Sequence, residues 1–191
     1  MTSLPSSRGK MLAAVRASQP AELPLPVVPT FGSDASIATF MAVLQGIGGR
    51  VIILVDPAEL GDTIRQLYPA SYQVASDLLP ASMTVTPTTP VPVLAGIDLA
   101  VLRGGLGVAE NGTVWVPEAN MLHRALPTVA QHLVLVLDQR HLVATMHQAY
   151  AQLGKMGGYG VFLAGPSKTA DIEQSLVIGA HGARSLTVVL Y

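Results

Sequence analysis

Gly48-Gly49-Arg50-Val51-Ile52-Ile53-Leu54-Val55-Asp56-Pro57 is the stretch on which the fold turns. From Val51 to Val55 every residue is apolar, the pattern of a strand covered on both faces in a parallel sheet. The glycine pair before it stops a helix. Asp56-Pro57 after it supplies an N-cap residue and then proline at the first helical position. Upstream, Ile37, Phe40, Met41, Leu44 and Ile47 share one helical face over 34–47, and Ser33 or Asp34 can cap it. Downstream, Leu60, Ile64 and Leu67 mark the next helix. Helix, strand, helix at this spacing is an α/β unit.

The rest of the chain continues the pattern. Ile97 to Leu102, Val114 to Val116, Leu133 to Leu137, Gly160 to Ala164 and Leu186 to Leu190 read as strands. Val143, Met146, Tyr150 and Leu153 form a helical stripe, and Met83 to Val93 reads as a connection with edge-strand character. Residues 1–30 differ: Pro5, Pro20, Pro24, Pro26 and Pro29 surround one short helix near Lys10 to Ala17. The expectation is a proline-rich N-terminal arm over 1–30 and one α/β domain over 31–191, built on a mixed or mostly parallel sheet covered by helices.

Half of the 191 residues are hydrophobic and 12% are charged, enough for a large core and too apolar for a disordered chain. A formal net charge of −1 gives no electrostatic argument for nucleic acid. No run approaches the length of a membrane span, and Leu12 to Val15 is too short for a signal-peptide core. There is no cysteine, so this chain supplies no disulfide, no thiolate nucleophile and no cysteine ligand for an iron–sulfur cluster. These features read as a soluble cytoplasmic protein.

The most specific stretch is Gly165-Pro166-Ser167-Lys168-Thr169-Ala170-Asp171-Ile172-Glu173. Read as the opening of a helix through Leu176 and Val177, it would aim backbone N–H groups at an anion, with hydroxyls from Ser167 and Thr169 and a cation from Lys168. Ligands of open α/β sheets also collect at the carboxyl ends of strands. Equally, Ser167 or Thr169 simply caps that helix. It is not a Walker A loop, because Ser167 and Phe162 stand where that pattern needs glycine. Asp171 and Glu173, two apart on a helix, would point to nearly opposite sides.

His181-Gly182-Ala183-Arg184 precedes the last strand. His181 can exchange a proton near neutral pH and Arg184 can grip a carboxylate in bidentate fashion. His123, His132, His141 and His147 show no zinc spacing, so no metal site is expected. Ala109-Glu110-Asn111-Gly112-Thr113 puts a carboxylate on a tight turn. That suits a nucleophile, and equally an ordinary Asn-Gly hairpin.

Taken together, Gly165 to Glu173, Leu176-Val177-Ile178-Gly179-Ala180-His181-Gly182 and Leu186 to Leu190 resemble the lactate-utilisation protein C (LUD) family. The resemblance extends back through Gly96-Ile97-Asp98-Leu99, Ala109 to Thr113 and Leu126-Pro127, and covers residues 30–95 only by general α/β pattern. The chain departs from the family at Asn111, where threonine is usual, and at Ala183, where proline is usual. The resemblance implies a three-layer fold of the NagB/RpiA/CoA-transferase-like group. It also implies a role beside two iron–sulfur partner proteins in oxidising L-lactate to pyruvate, with the clusters held by the partners and no cofactor on this chain.

Three functions follow as expectations. In the first, the chain is a cluster-free component of a lactate-oxidising system. Its pocket, with Ser167, Lys168, Thr169, Asp171 and Arg184, binds a small carboxylate or other anion and His181 accepts a proton. In the second, a CoA-transferase-like enzyme uses Glu110 as nucleophile, since Glu110-Asn111-Gly112 resembles the motif of such enzymes. In the third, the fold is an interaction module without activity. Homo-oligomerisation is left open.

Overall fold

The computed structural model describes residues 6–24, 26–27, 29, 34–69, 73–154, 158–172 and 175–191, with the side chains of 170–175 outside the described set. Contacts divide the chain into two units, Met1–Gly32 and Ser33–Tyr191. The first contains helix α1, Ser7–Ala17, started by Ser6, whose hydroxyl accepts from Gly9 N at 3.2 Å. None of its described residues is buried.

The second unit runs α2 (Ile37–Gly46), β1 (Arg50–Ile53), α3 (Leu60–Leu67), β2 (Val74–Ser76), α4 (Val91–Leu94), β3 (Leu99–Arg103), β4 (Leu106–Val108) and β5 (Thr113–Pro117). It continues with α5 (Leu126–Val129), β6 (His132–Leu137), β7 (Leu142–Val143), α6 (Met146–Leu153), β8 (Gly160–Leu163), β9 (Lys168–Ile172), β10 (Ser175–Ile178) and β11 (Ser185–Leu190). Five strands form a parallel sheet in the order β1-β11-β6-β3-β2. The expected α/β class, a mostly parallel sheet with helices, is what the chain adopts.

The apolar runs of β6 and β11 owe their uniformity to burial on both sides. β1, expected as a covered strand over Val51 to Val55, ends at Ile53 as an edge strand, with Ile53 48% and Val55 97% exposed. Along β6, Leu133, Leu135 and Leu137 join the cluster of Phe40 and Leu44 from α2, while Val134 and Val136 face Ile64 of α3. A second sheet, β7-β4-β5-β8, shares the α2 side. Val114 and Val116 of β5 enter the main core, and Trp115, one step out of phase, packs with Phe162 and Ala149 beneath α6.

Local chemistry sets the element ends. Ser36 caps α2, accepting from Thr39 N at 3.1 Å, and Asp34 stands behind it, accepting from Ser36 N at 2.8 Å. Asp56 accepts from Ala58 N at 2.8 Å and starts the short 3-10 turn before α3.

Besides the extent of β1 and the α2 cap, which is Ser36 where Ser33 or Asp34 was expected, three expectations need correction. Residues 165–178 do not open a helix: Lys168 pairs with Ile178 and Thr169 with Val177 in an antiparallel β9–β10 hairpin. β-branched residues at 169, 172, 177 and 178 favour an extended ladder over a cap and helix. Met83 to Val93 forms turns and then α4, with no strand. Val143 belongs to β7, so the helical stripe begins at Met146.

The β4–β5 turn supplies a test of packing. Gly112 has φ +67°, and a Cβ there would sit 3.0 Å from the Leu44 backbone in α2. Gly112→Ala should therefore cost about 1–3 kcal/mol, from the left-handed conformation and the close approach together. Urea denaturation of the two proteins measures this; an unchanged midpoint would remove the constraint.

Candidate functional site at the amino edge of the sheet

Because the central strands are parallel, their first residues line one edge. Leu99, His132 and Ser185 stand side by side in register there. The loop 179–184, the turn 165–167 and the segment before β6 meet at the same edge. Ser167 N donates to Ala183 O at 2.9 Å, Ser167 O accepts from Gly179 N at 3.0 Å, and Arg184 N donates to Gln131 O at 2.7 Å. Gly182 lies so close that a Cβ would be 3.0 Å from the Ser167 Cβ.

These contacts gather most of the nominated residues. Ser167 is half-buried at the base of the hairpin, and Lys168 is exposed beside it with its ammonium end over Gly48. The stem of Arg184 lies over Gly179, next to the Ile178 that pairs with Lys168. Two cations thus flank one strand end, and among the described residues neither forms an ion pair. His181 is exposed in the same loop, and Thr169 is half-buried one step along β9. Asp171 is a β9 residue whose side chain lies outside the described set, and Glu173 lies outside the described residues altogether.

The anion-binding argument changes with the hairpin. There is no helix start at 168, so the cation pair and the Ser167 hydroxyl remain as donors. The edge is also the amino edge, opposite to the carboxyl ends of the parallel strands.

Glu110 stands elsewhere. It is exposed on the β4–β5 turn, where its Oε1 accepts from Met146 N at 2.6 Å and its own N donates to Ala144 O at 3.0 Å. A carboxylate at the first turn of α6 satisfies an open N–H and meets the positive helix end. Asn111 closes the turn by accepting from Thr113 N at 3.2 Å and Thr113 Oγ1 at 2.7 Å.

Sequence reasoning missed a polar network at this edge. His132 Nδ1 and Ser185 Oγ are 2.8 Å apart, and the Tyr68 hydroxyl stands 3.4 Å from Ser185 Oγ and 3.0 Å from Thr187 Oγ1. The Tyr68 and His132 rings lie 5.4 Å apart. Asp98 ties the strand starts together, accepting from Gln131 Nε2 at 3.1 Å and Gln73 N at 2.9 Å. Burial lowers the His132 pKa, the Arg184 charge adds to that, and Asp98 opposes both. A half-buried imidazole beside a hydroxyl, with the Arg184 charge acting on it, can take part in binding an anion and in moving a proton. No group of three histidine, aspartate or glutamate residues suited to a metal ion occurs among the described residues.

Comparison with known proteins now bears on the same segments. The model of the LUD domain family matches residues 93–191, just over half of the chain. The chain belongs to the LUD domain family. Among relatives of this LUD chain, lactate utilization protein C of Shouchella clausii is 33% identical over 91 residues, 44% of this chain and 40% of the relative. Lactate utilization protein C of Geobacillus thermodenitrificans is 26% identical over 166 residues, 81% of this chain and 68% of the relative. The LUD chain thus matches about two-fifths of the length of the first curated relatives. The crystal structure of a DUF162 family protein from Deinococcus radiodurans shares the fold, with a TM-score of 0.63 and 18% identity over 81% of this chain and 94% of that one. No helix of the described residues is long and apolar enough to cross a membrane.

The His132 environment predicts a pH dependence. Unfolded chain takes up this proton near the ordinary value of 6.5, whereas the fold resists it. Its contribution is full above that pH and falls as the pH drops below it, until folded His132 also protonates. Urea midpoints of the LUD chain taken from neutral to mildly acidic pH should fall less in His132→Gln than in the parent; identical slopes would dismiss the assignment. At the second site, Glu110→Ala should cost about 1 kcal/mol through α6, and Glu110→Gln less because it keeps an acceptor. If Glu110 were instead a nucleophile, mass spectrometry after exposure to acyl-CoA would show an adduct that Glu110→Gln abolishes.

Proposed function

We propose that this LUD chain acts in lactate utilisation as a cytoplasmic, cluster-free component of an L-lactate oxidising system. Lys168 and Arg184 hold the lactate carboxylate, the Ser167 hydroxyl supplies a further donor, and His181 takes the proton of the α-hydroxyl. Conversion to pyruvate removes two electrons and two protons from lactate. With the hydroxyl proton on His181, the Cα proton and both electrons leave to the iron–sulfur partner proteins. The absence of cysteine is in keeping with that division.

The observation that carries this reading is Lys168 and Arg184, without an ion pair among the described residues, brought to one strand end within the segment that matches the LUD family. An arginine can meet a carboxylate with two parallel hydrogen bonds, and an added lysine supplies a second charge. Relatives carrying the name lactate utilization protein C support the choice of lactate over other small anions. The helix-start hydrogen bond from Met146 favours a structural role for Glu110 over CoA transfer.

Deletion of the gene in its native host, followed by complementation, tests both levels. Growth on L-lactate as sole carbon source should fail in the deletion and return with the intact gene. The Lys168→Ala, Arg184→Ala double variant should restore lactate-dependent oxidation roughly tenfold less well, the loss expected for a charge-assisted contact. Unimpaired growth of the deletion strain would overturn the lactate role. Full rescue by the double variant would overturn the anion site alone.

A further inference from the structure

The opposite edge of the parallel sheet holds a cleft that the lactate reading does not use. Its volume is about 220 Å³. Leu54 after β1, Leu60 at the start of α3, Leu78 after β2 and Val136 near the end of β6 give it apolar walls. Arg103, the last residue of β3, and Tyr191, directly after β11, supply its polar lining. Here the carboxyl ends of the strands converge, the side on which open α/β sheets collect ligands.

Arg103 is unusual for its row. Leu99 and Val101 pack on the α3 face of the sheet, and the two-residue period of a strand puts residue 103 on that face too. An exposed guanidinium therefore ends a row whose earlier members, Leu99 and Val101, are buried. An acidic residue on the neighbouring strand, Asp138, is already taken. Arg103 pairs in register with Val136, and two residues further on Asp138 is gripped by Arg140, whose Nη2 donates to Asp138 Oδ2 at 2.6 Å. Hydrogen bonds from Arg140 hold the Asp138 carboxyl down at about 2. Among the described residues no carboxylate pairs with Arg103, although its backbone O accepts from Asn120 Nδ2 at 3.0 Å.

We propose that this cleft binds a small monocarboxylate with an apolar tail. The carboxylate meets Arg103 in bidentate fashion, the Tyr191 hydroxyl donates a further hydrogen bond, and the tail lies against Leu54, Leu60, Leu78 and Val136. The volume is below the usual range for drug-sized ligands, which restricts the tail to a short chain. The apolar walls argue against a phosphorylated or polyhydroxylated ligand, whose polar groups would lose water there without partners. The site is independent of the lactate reading, because it lies at the other end of the strands and needs neither Lys168 nor Arg184.

Hexanoate is the probe, with 1-hexanol as its uncharged counterpart. In titrations followed by backbone amide NMR of the full chain, hexanoate should bind saturably and shift Leu54, Arg103 and Tyr191. Hexanol binding, and hexanoate binding to Arg103→Gln, should be about tenfold weaker, the loss of one charge-assisted pair. Lys168→Ala should leave the hexanoate-induced shifts of Leu54, Arg103 and Tyr191 as they are in the parent. Leu60→Trp, which fills the cleft while keeping Arg103, should abolish binding in a protein whose amide spectrum stays dispersed. The proposal is overturned by equal hexanoate affinity in Arg103→Gln, by shifts confined to the residues around Lys168 and Arg184, or by no saturable binding in the millimolar range.

Discussion

Everything in the α/β unit depends on keeping water from both faces of one parallel sheet. β6 and β11 run through its middle, and from Leu133 to Leu137 and Leu186 to Leu190 every residue is buried. Neither face can be left open, because alternate side chains of the same apolar run point each way. α3 is short, so one face is closed with help from the residues after β2, such as Leu78 and Leu79. The other face takes α2 and a whole second sheet. Covering that second sheet in turn requires α6, which the Glu110 carboxylate helps to start.

A parallel sheet also makes its two edges chemically different. At the amino edge the strand starts carry hydrogen-bonding side chains, His132, Ser185 and Thr187, laced together by Tyr68 and braced by Asp98. At the carboxyl edge the apolar rows run out into Leu54 and Val136, with Arg103 as the charge. The motif that carries the family resemblance sits at the first edge and the general rule for ligands favours the second. The molecule offers a chemically distinct surface at each.

Much of the main sheet was legible in the sequence because its strands are long, apolar and bounded by clear stops. Gly48-Gly49 and Asp56-Pro57 frame β1, and unbroken aliphatic runs mark β6 and β11. The second sheet was harder: β4 has three residues and β7 two, too few for any periodicity. The β9–β10 hairpin was misread because serine, lysine and threonine after Gly-Pro resemble a helix cap. The ladder between Thr169 and Val177 depends on residues eight apart along the chain, beyond what capping chemistry sees. The grouping of Ser167 with Arg184 was legible as a motif, since the two lie close in sequence. The contact between His132 and Ser185 was not, because 53 positions separate them and only the register of β6 with β11 brings them together.

The strand order carries a consequence for how the chain is made. β1 is an edge strand whose partner in the sheet is β11, so Arg50 waits for Thr187. During synthesis on the ribosome, the first strand of the sheet stays unpaired until nearly all the following elements have emerged. The sheet closes only when β11 slides between β1 and β6, a step with large loop-closure entropy and a correspondingly slow rate. Until then an apolar edge from Val51 to Val55 is open to other chains, and nascent protein is the form most exposed to aggregation and most dependent on chaperones.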